Sequence, residues 1–395
     1  METNAAAGSL YTKPFILLCL SHALFAGSFN MIIPELPAYL TSLGGAEHKG
    51  WIIALFTITA GISRPFSGKL TDTIGRIPVM YVGTFACVVC SMLYPALAFL
   101  GGFFALRFFH GFSTGFKPTG TSAYVADVVK PEHRGEAMGV LGITFSVGAS
   151  AAPFFGSWLT KAWGLNWMFY ASAFFALISM AILWNMPETL KKKQKFTVSH
   201  LKVGRQDIFD PLVIPSAITM ILCYVSYGVI LTLMPDMSDH LGLENRGICF
   251  SIFTIASVST RFFAGRVSDQ LGRVPVLRAS ALVIAFAMAA FALADSAFML
   301  YFAAVLFGLG NGIFSPAINA WSVDLGDQQR KGRALATMYI SLEIAIGGGA
   351  LLAGWYFAND FQKIPHVFWW AAFMSLLGWL YLTLNKQKLL KHQNT

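Results

Sequence analysis

The chain has 395 residues, 56% of them hydrophobic and 12% charged, and a formal net charge of +9. An average soluble domain is about 25% charged, so this composition cannot supply the polar surface of soluble domains, and the mean hydropathy of +0.61 points to lipid as the solvent. A spanning barrel is excluded by continuous apolar runs such as Ala281 to Ala292, because barrel strands alternate in segments of about 10 residues.

Apolar segments of about 20 residues, the length that crosses a bilayer core of about 30 Å, recur along the chain. Twelve spans are predicted, at 14–38, 50–67, 78–98, 101–126, 137–160, 166–186, 212–234, 247–264, 276–294, 298–323, 334–358 and 366–384. The first is too long for a cleaved signal peptide, and no small-residue cleavage site precedes the next polar loop. Pro187 to Pro211 is the one long polar linker, and its Lys191, Lys192, Lys193 and Lys195 are explained by topology and attraction to anionic lipid. The expected fold is an all-α integral membrane protein with 12 transmembrane helices in two pseudo-symmetric six-helix bundles, divided as 1–190, a linker at 191–211, and 212–395.

With the N-terminus inside, cytoplasmic segments hold 20 Lys and Arg, whereas the outer loops hold 4, namely Lys49, Lys161, Arg246 and Lys363. The positive-inside rule therefore places both termini and the linker in the cytoplasm, and the positive charge needs no nucleic-acid partner. Cys19, Cys87, Cys90, Cys223 and Cys249 all fall in apolar spans and read as packing residues. No metal and no cofactor is expected. The absence of an N-x-S/T sequon and the short outer loops fit a bacterial inner membrane.

One stretch occurs twice, 197 residues apart: Arg64, Gly68, Leu70, Asp72, Gly75, Arg76, Pro78, Val79, then Arg261, Gly265, Val267, Asp269, Gly272, Arg273, Pro275, Val276. Gly111 and Gly308, Gly115 and Gly312, Asp127 and Asp324, Gly135 and Gly332, and Ala137 and Ala334 keep the same spacing of 197, and Pro37 and Gly44 match Pro235 and Gly242 at 198. Repeated halves in a helical membrane protein surround a central site near mid-bilayer, reached alternately from each side. The charged turn has its own physical reading. Gly68 and Gly75 permit close backbone approach, Asp72 can accept from helix N-terminal amides, and Arg76 can pair with Asp127, with Arg134 and Glu136 flanking the same face. Gly265, Asp269, Arg273 and Asp324 repeat the arrangement. Such pairs would hold the cytoplasmic side closed in one state and release it in the other.

These residues resemble the major facilitator superfamily over the whole chain. Its signature between spans 2 and 3 is matched by Gly68, Leu70, Asp72, Gly75 and Arg76, and its echo after span 8 by Gly265, Asp269, Gly272 and Arg273. The span-4 signature R-x-x-Q-G is present as Arg107 to Gly111 with His110 for the glutamine. The antiporter span-5 signature is present as Gly148, Ala152, Pro153, Gly156 and Ser157, with two glycines replaced. Pro187-Glu188-Thr189-Leu190 resembles the usual exit from span 6. The resemblance implies a secondary transporter of the 12-span drug:proton antiporter type, with Gly148, Pro153 and Gly156 in helix packing.

Arg107, His110, Thr114, Lys117 and Thr121 fall at spacings of 3, 4, 3 and 4, within an arc of roughly 80° on span 4. Buried charges in a bilayer are costly unless they face a wet cavity or a partner, so this face is expected to line the central cavity. Tyr224 and Tyr227 on span 7, and Asn311, Ser315 and Asn319 at i, i+4 and i+8 on span 10, are expected on the opposite wall. Cationic groups in one half and neutral ones in the other suggest an anionic or strongly polar substrate.

Glu343 lies about nine residues into span 11, roughly 13 Å deep, and suits a proton carrier. Glu35, between Pro34 and Pro37, lies near the outer surface, with Asp236 in a similar, more exposed place. His22 and His110 are further proton-coupling candidates, histidine being the side chain that titrates nearest neutrality. Gly347, Gly348 and Gly349 suit close helix packing.

The function expected is proton-coupled efflux of a small organic molecule by alternating access, with proton-coupled import of a metabolite as the alternative. The partners are the substrate, protons and the bilayer, and the state is monomeric. An enzyme is not expected: there is no H-E-x-x-H, G-x-S-x-G or phosphate-binding loop.

Overall fold

The computed structural model describes residues 12–130, 133–190, 192–202, 204, 209–326 and 331–385. Among them the secondary structure is helical throughout. The first half holds α1 (Lys13–Ile32), α2 (Leu36–Ser42), α3 (Gly50–Thr73), α4 (Arg76–Leu93), α5 (Leu100–Val128), α6 (Arg134–Trp163) and α7 (Leu165–Trp184). The second holds α8 (Ile214–His240), α9 (Ile248–Leu271), α10 (Arg273–Ala292), α11 (Ala297–Leu325), α12 (Lys331–Phe357) and α13 (Ile364–Leu384).

The first span is longer than its predicted bounds. It runs through α1, a 3-10 turn at Ile33–Glu35 and α2, because Pro34 and Pro37 remove backbone donors and interrupt the α-ladder. Among the described residues nine helical stretches are long and apolar enough to cross a membrane, and α9 passes as a bent pair, Ile248–Arg261 and Phe263–Leu271, at 51°. Helices α3 and α5 complete the twelve. Each is diluted by polar residues, Arg64, Lys69 and Asp72 in one and Arg107, His110 and Lys117 in the other.

Within the first half, α1 packs on α6 and α7, α3 on α5, and α4 on α5 and α7; within the second, α8 packs on α12 and α13, α9 on α11, and α10 on α11 and α13. The halves meet chiefly along α3 against α12 and α6 against α9. A Cβ on Gly148 or Gly156 of α6 would strike the carbonyl of Ala23 or Met31 on α1, and one on Gly349 would strike that of Val225 on α8. Gly347 faces Thr57 across the halves, whereas Gly348 faces open space.

The repeated turns adopt matching geometry. Gly75 (φ 126°) and Gly272 (φ 86°) immediately precede α4 and α10, in a region that side chains rarely enter. The α4 amides are capped by an unexpected acid. Glu188 accepts from the backbone N of Arg76 at 3.0 Å and of Ile77 at 3.1 Å, while the Asp72 side chain is 75% exposed and turns to Arg76. Asp72 therefore does not serve the helix N-terminus here; the glutamate of the span-6 exit does.

Candidate functional site

A cavity of about 190 Å³ lies between the halves. Phe29, Asn30, Phe145 and Ser146 form one wall, and Tyr227, Phe253, Thr254, Ser257, Arg261 and Asn311 form the other. It is aromatic with a few convergent polar groups, the composition of a small-molecule site. Tyr227 and Asn311 are thus on the wall. Tyr224 stands behind Tyr227, ring centroids 5.8 Å apart, and packs on Phe314. Ser315 and Asn319 continue the α11 stripe beyond the cavity lining and are half-buried.

The span-4 stripe does not line this cavity. Helix α5 turns it inward, toward its own half, because Gly111 and Gly115 draw α5 onto Phe56, Thr59, Ala60 and Ser63 of α3. Arg107 is 2% exposed; its Nε donates to the Ile52 carbonyl at 2.7 Å and its guanidinium lies 4.7 Å from the Phe56 ring centre. His110 is buried with Nε2 at 3.2 Å from Cys87 Sγ and Nδ1 unpartnered. Lys117, also buried, donates to Ser21 Oγ at 2.7 Å. Thr114 and Thr121 donate back to carbonyls of Gly111 and Lys117 on their own helix. His22 is buried with its ring centre 5.1 Å from that of Phe145. The spacing identified a shared face correctly; the face has a bundle interior to point into as well as a cavity.

Among the described residues, Arg64, Arg107, Lys117 and Arg261 are cations that lie well inside their helices. Arg64 is the cation that meets Glu343, Nη2 to Oε1 at 2.7 Å and Nε to Oε1 at 3.2 Å, from α3 in one half to α12 in the other. The Arg64 guanidinium also lies 4.6 Å from the Tyr339 ring centre. Glu343 is therefore not a lone carboxylate. Arg261, the repeat of Arg64, projects from α9 and reaches Ser146 Oγ across the halves at 3.3 Å. The signal for both was present, since each opens its copy of the repeated stretch. What the sequence hid is the partner, 279 residues distant for Arg64.

Bonds joining the halves cluster at the face opposite the repeated turns. Lys49 pairs with Asp236 and also donates to Asn359 Oδ1 at 2.8 Å. Arg246 pairs with Glu35 at 2.6 Å and with Asp239 at 2.6 Å, and Lys161 with Glu244 at 2.7 Å. Glu35 also accepts from Ser157 at 2.6 Å. Asp236, expected to be more exposed than Glu35, is equally buried. Hydrogen bonding to Lys161 holds Glu244 below its ordinary range. Burial pulls Arg246 down, but Asp239 and Glu35 more than offset it, and the guanidinium sits above its ordinary value. Backbone contacts complete this rim: Asn245 Nδ2 donates to the Phe154 carbonyl at 3.1 Å and Ser251 Oγ to that of Ser150.

At the face of the repeated turns the pairs stay within each half. Arg76 meets Asp127 at 2.9 Å and Asp72 at 3.2 Å; Arg273 meets Asp324 at 2.9 Å and Asp269 at 2.5 Å. Thr189 Oγ1 donates to Asp127 at 2.6 Å. Glu136 lies 3.8 Å from His133, and the Arg134 side chain lies outside the described residues. Gly68 and Gly265 face open space, so in this conformation neither supports a close backbone approach. Among the described residues, the bonds that cross the halves run from the rim to mid-depth and end at Arg64–Glu343 and Arg261–Ser146.

The comparisons with known proteins agree with this architecture. The family profile described as Major Facilitator Superfamily matches residues 18–244 and 216–394. The multidrug resistance protein MdtG of Klebsiella pneumoniae is 24% identical over 381 residues, 92% of this chain and 91% of its own. The staphylopine export protein of Staphylococcus aureus is 22% identical over 351 residues, 86% of this chain and 88% of its own. The human organic anion transporter MFSD10 has a solved structure with a TM-score of 0.73 at 18% identity, covering 94% of this chain and 100% of its own. A peptide transporter solved with sulfate reaches 0.82 at 12% identity, covering 97% and 96%. With twelve helical spans among the described residues, a cavity between the two halves and a family profile covering nearly the whole length, the chain belongs to the Major Facilitator Superfamily of membrane transporters.

Proposed function

We propose that this protein exports a small organic molecule in exchange for protons, with the lysine-rich face in the cytoplasm of a bacterial inner membrane. The observation that carries the reading is the asymmetry of closure: crossing ion pairs seal the cavity toward the rim, and below mid-depth the described residues bond within their own halves. This is a cavity poised to load from the cytoplasm. The name of the staphylopine export protein supports the direction, and the multidrug resistance names of other relatives fit it.

Glu343 is the proposed proton carrier, since it is the one carboxylate at mid-depth among the described residues and its partner lies across the halves. Protonation from outside removes its negative charge and releases Arg64. Deprotonation toward the cytoplasm re-forms the pair and draws α3 against α12, as seen here. Glu35 is engaged at the rim, and His22 and His110 are enclosed in the first bundle, which favours Glu343 over all three. The repeated turns are the proposed latch of the opposite state, with open space beside Gly68 and Gly265 to receive an approaching helix.

The test uses purified protein in proteoliposomes with an imposed pH gradient of either sign, ethidium and 2-naphthoate as cationic and anionic probes, and an internal pH dye. Probe movement opposite to protons, reversing with the gradient, is expected. Glu343→Gln is expected to lose gradient-driven accumulation at least tenfold while keeping probe exchange. Probe and proton moving in the same direction, or unchanged accumulation in Glu343→Gln, would overturn the reading.

A further inference from the structure

The two arginines that open the repeated stretches are related by the same spacing as their partners. Arg64 and Arg261 are 197 residues apart, and so are Ser146 and Glu343. The pair Arg64–Glu343 is thus the counterpart of the pair Arg261–Ser146, one copy of a pseudo-symmetric contact on each side of the interface. In the first copy the guanidinium meets a carboxylate at 2.7 Å. In the second the carboxylate is missing, and the guanidinium meets a serine hydroxyl at 3.3 Å.

A cation inside a span without a counter-ion costs about 2.5–3.5 kcal/mol even on translocon insertion scales. Arg107 and Lys117 offset that cost inside their own bundle, whereas Arg261 lines the cavity, where a partner that comes and goes can reach it. Arg261 has no carboxylate beside it among the described residues, and its Nε is buried and unpartnered. Ser257, one turn earlier on α9, also lines the cavity and has a buried, unpartnered hydroxyl. Asn311 adds an amide on the same wall. Three donors thus line one wall of the cavity, opposite Ser146, which stands where the counterpart holds a carboxylate. Around them the wall is aromatic, with Phe29 and Phe145 at 6.1 Å and Tyr227 and Phe253 at 5.9 Å between ring centres. The volume of about 190 Å³ exceeds the ~150 Å³ that accommodates a benzene ring.

We infer that the cavity selects aromatic monoanions, with the substrate's carboxylate, or an oxyanion of like charge, taking the place at Arg261 that Glu343 fills at Arg64. Ser257 and Asn311 supply further hydrogen bonds, and the ring system lies against the phenyl wall. A carboxylate held in the fork of Arg261 would be a charge-assisted pair, which is how one side chain discriminates strongly by charge. This inference rests on the cavity being the transport site, but its test is of binding alone and needs neither proton coupling nor a direction of transport.

The test compares 2-naphthoate, 2-naphthalenemethanol and 2-naphthylmethylammonium on purified protein in phosphatidylcholine nanodiscs, reading equilibrium binding and thermal stabilisation. Wild type is expected to bind the anion at least tenfold more tightly than the neutral and cationic analogues. Arg261→Gln is expected to lose that preference and keep binding of the alcohol. Ser146→Glu rebuilds the missing counterpart; it is expected to raise the melting temperature without ligand and to remove naphthoate binding, a combination that misfolding cannot imitate. Replacing a fifth of the lipid with phosphatidylglycerol should leave naphthoate binding unchanged. Competition by that lipid would assign the site to a headgroup and overturn the substrate assignment. No anion preference in wild type, or a preference that survives both substitutions, would overturn the inference. If the preference behaves as expected but no probe moves in proteoliposomes, the site stands and the transport reading falls.

Discussion

Lys117 and Arg107 show how a buried cation is tolerated inside a helical bundle. Arg107 has a carbonyl and an aromatic face, and Lys117 a serine hydroxyl; among the described residues neither meets a carboxylate. Replacing such a group by an apolar side chain of similar length removes a desolvation cost. Lys117→Met is expected to be neutral or stabilising by about 1 kcal/mol, measured as an unchanged or raised melting temperature in detergent, with naphthoate binding unaffected. A fall in naphthoate affinity would return Lys117 to the substrate path. These residues also mark what was legible at this scale. Helical spacing put Arg107, His110 and Lys117 on one face, as found, but polarity alone does not say whether that face meets water or the inside of a bundle. Arg64 and Arg261 were in plain view at the head of each repeat. Their roles depend on Glu343 and Ser146, and a contact between non-neighbouring helices leaves no local pattern.

At the scale of elements, backbone contacts govern what can change. Gly156 lies where α6 crosses α1, and a side chain there meets the Met31 carbonyl, an atom that cannot rotate away. Gly156→Val is expected to destabilise the fold by about 1–3 kcal/mol or more, seen as a lower melting temperature and reduced yield of monodisperse protein. Gly139→Ala on the same helix, facing open space, should be near wild type. The spans themselves were largely readable: the one predicted at 101–126 is α5 at Leu100–Val128, and that at 366–384 is α13 at Ile364–Leu384. The departures have local causes. Pro34 and Pro37 break the first span without ending it, and α4 starts under a carboxylate from the segment that follows α7. Glu188 is 112 residues from the amide it caps, so the cap could not be inferred from the turn. The second half has Asn385 at the corresponding place, 197 residues on, where it donates to the Tyr381 carbonyl of its own helix at 3.0 Å. The two turns share a shape without sharing their supports.

At the scale of the whole molecule, the distribution of cations bears on both the proposed orientation and the closure of the rim. The free cysteines, Cys19, Cys87, Cys90, Cys223 and Cys249, are all buried, so one introduced thiol can be labelled selectively. Lys192→Cys is expected to react with a membrane-impermeant maleimide only in inverted vesicles, and Lys363→Cys only in right-side-out ones. The opposite pattern would reverse the proposed orientation and with it the direction of export. The cations of the loops expected outside hold the rim: Lys49, Lys161 and Arg246 each reach an acid of the other half.

Those three rim pairs are graded in wetness. Lys161 and Glu244 have side chains 59% and 82% exposed, Arg246 and Glu35 28% and 4%, and Lys49 and Asp236 4% and 8%. A pair in water contributes about 0–1 kcal/mol, whereas parting a buried one exposes an uncompensated charge until water reaches it. The rim therefore works as a zipper with a loose end and a tight end. On the proposed cycle, its exposed tooth would open and close with little resistance and respond to the salt of the medium, while the parting of Lys49 from Asp236, like that of Arg64 from Glu343, would be a committing step.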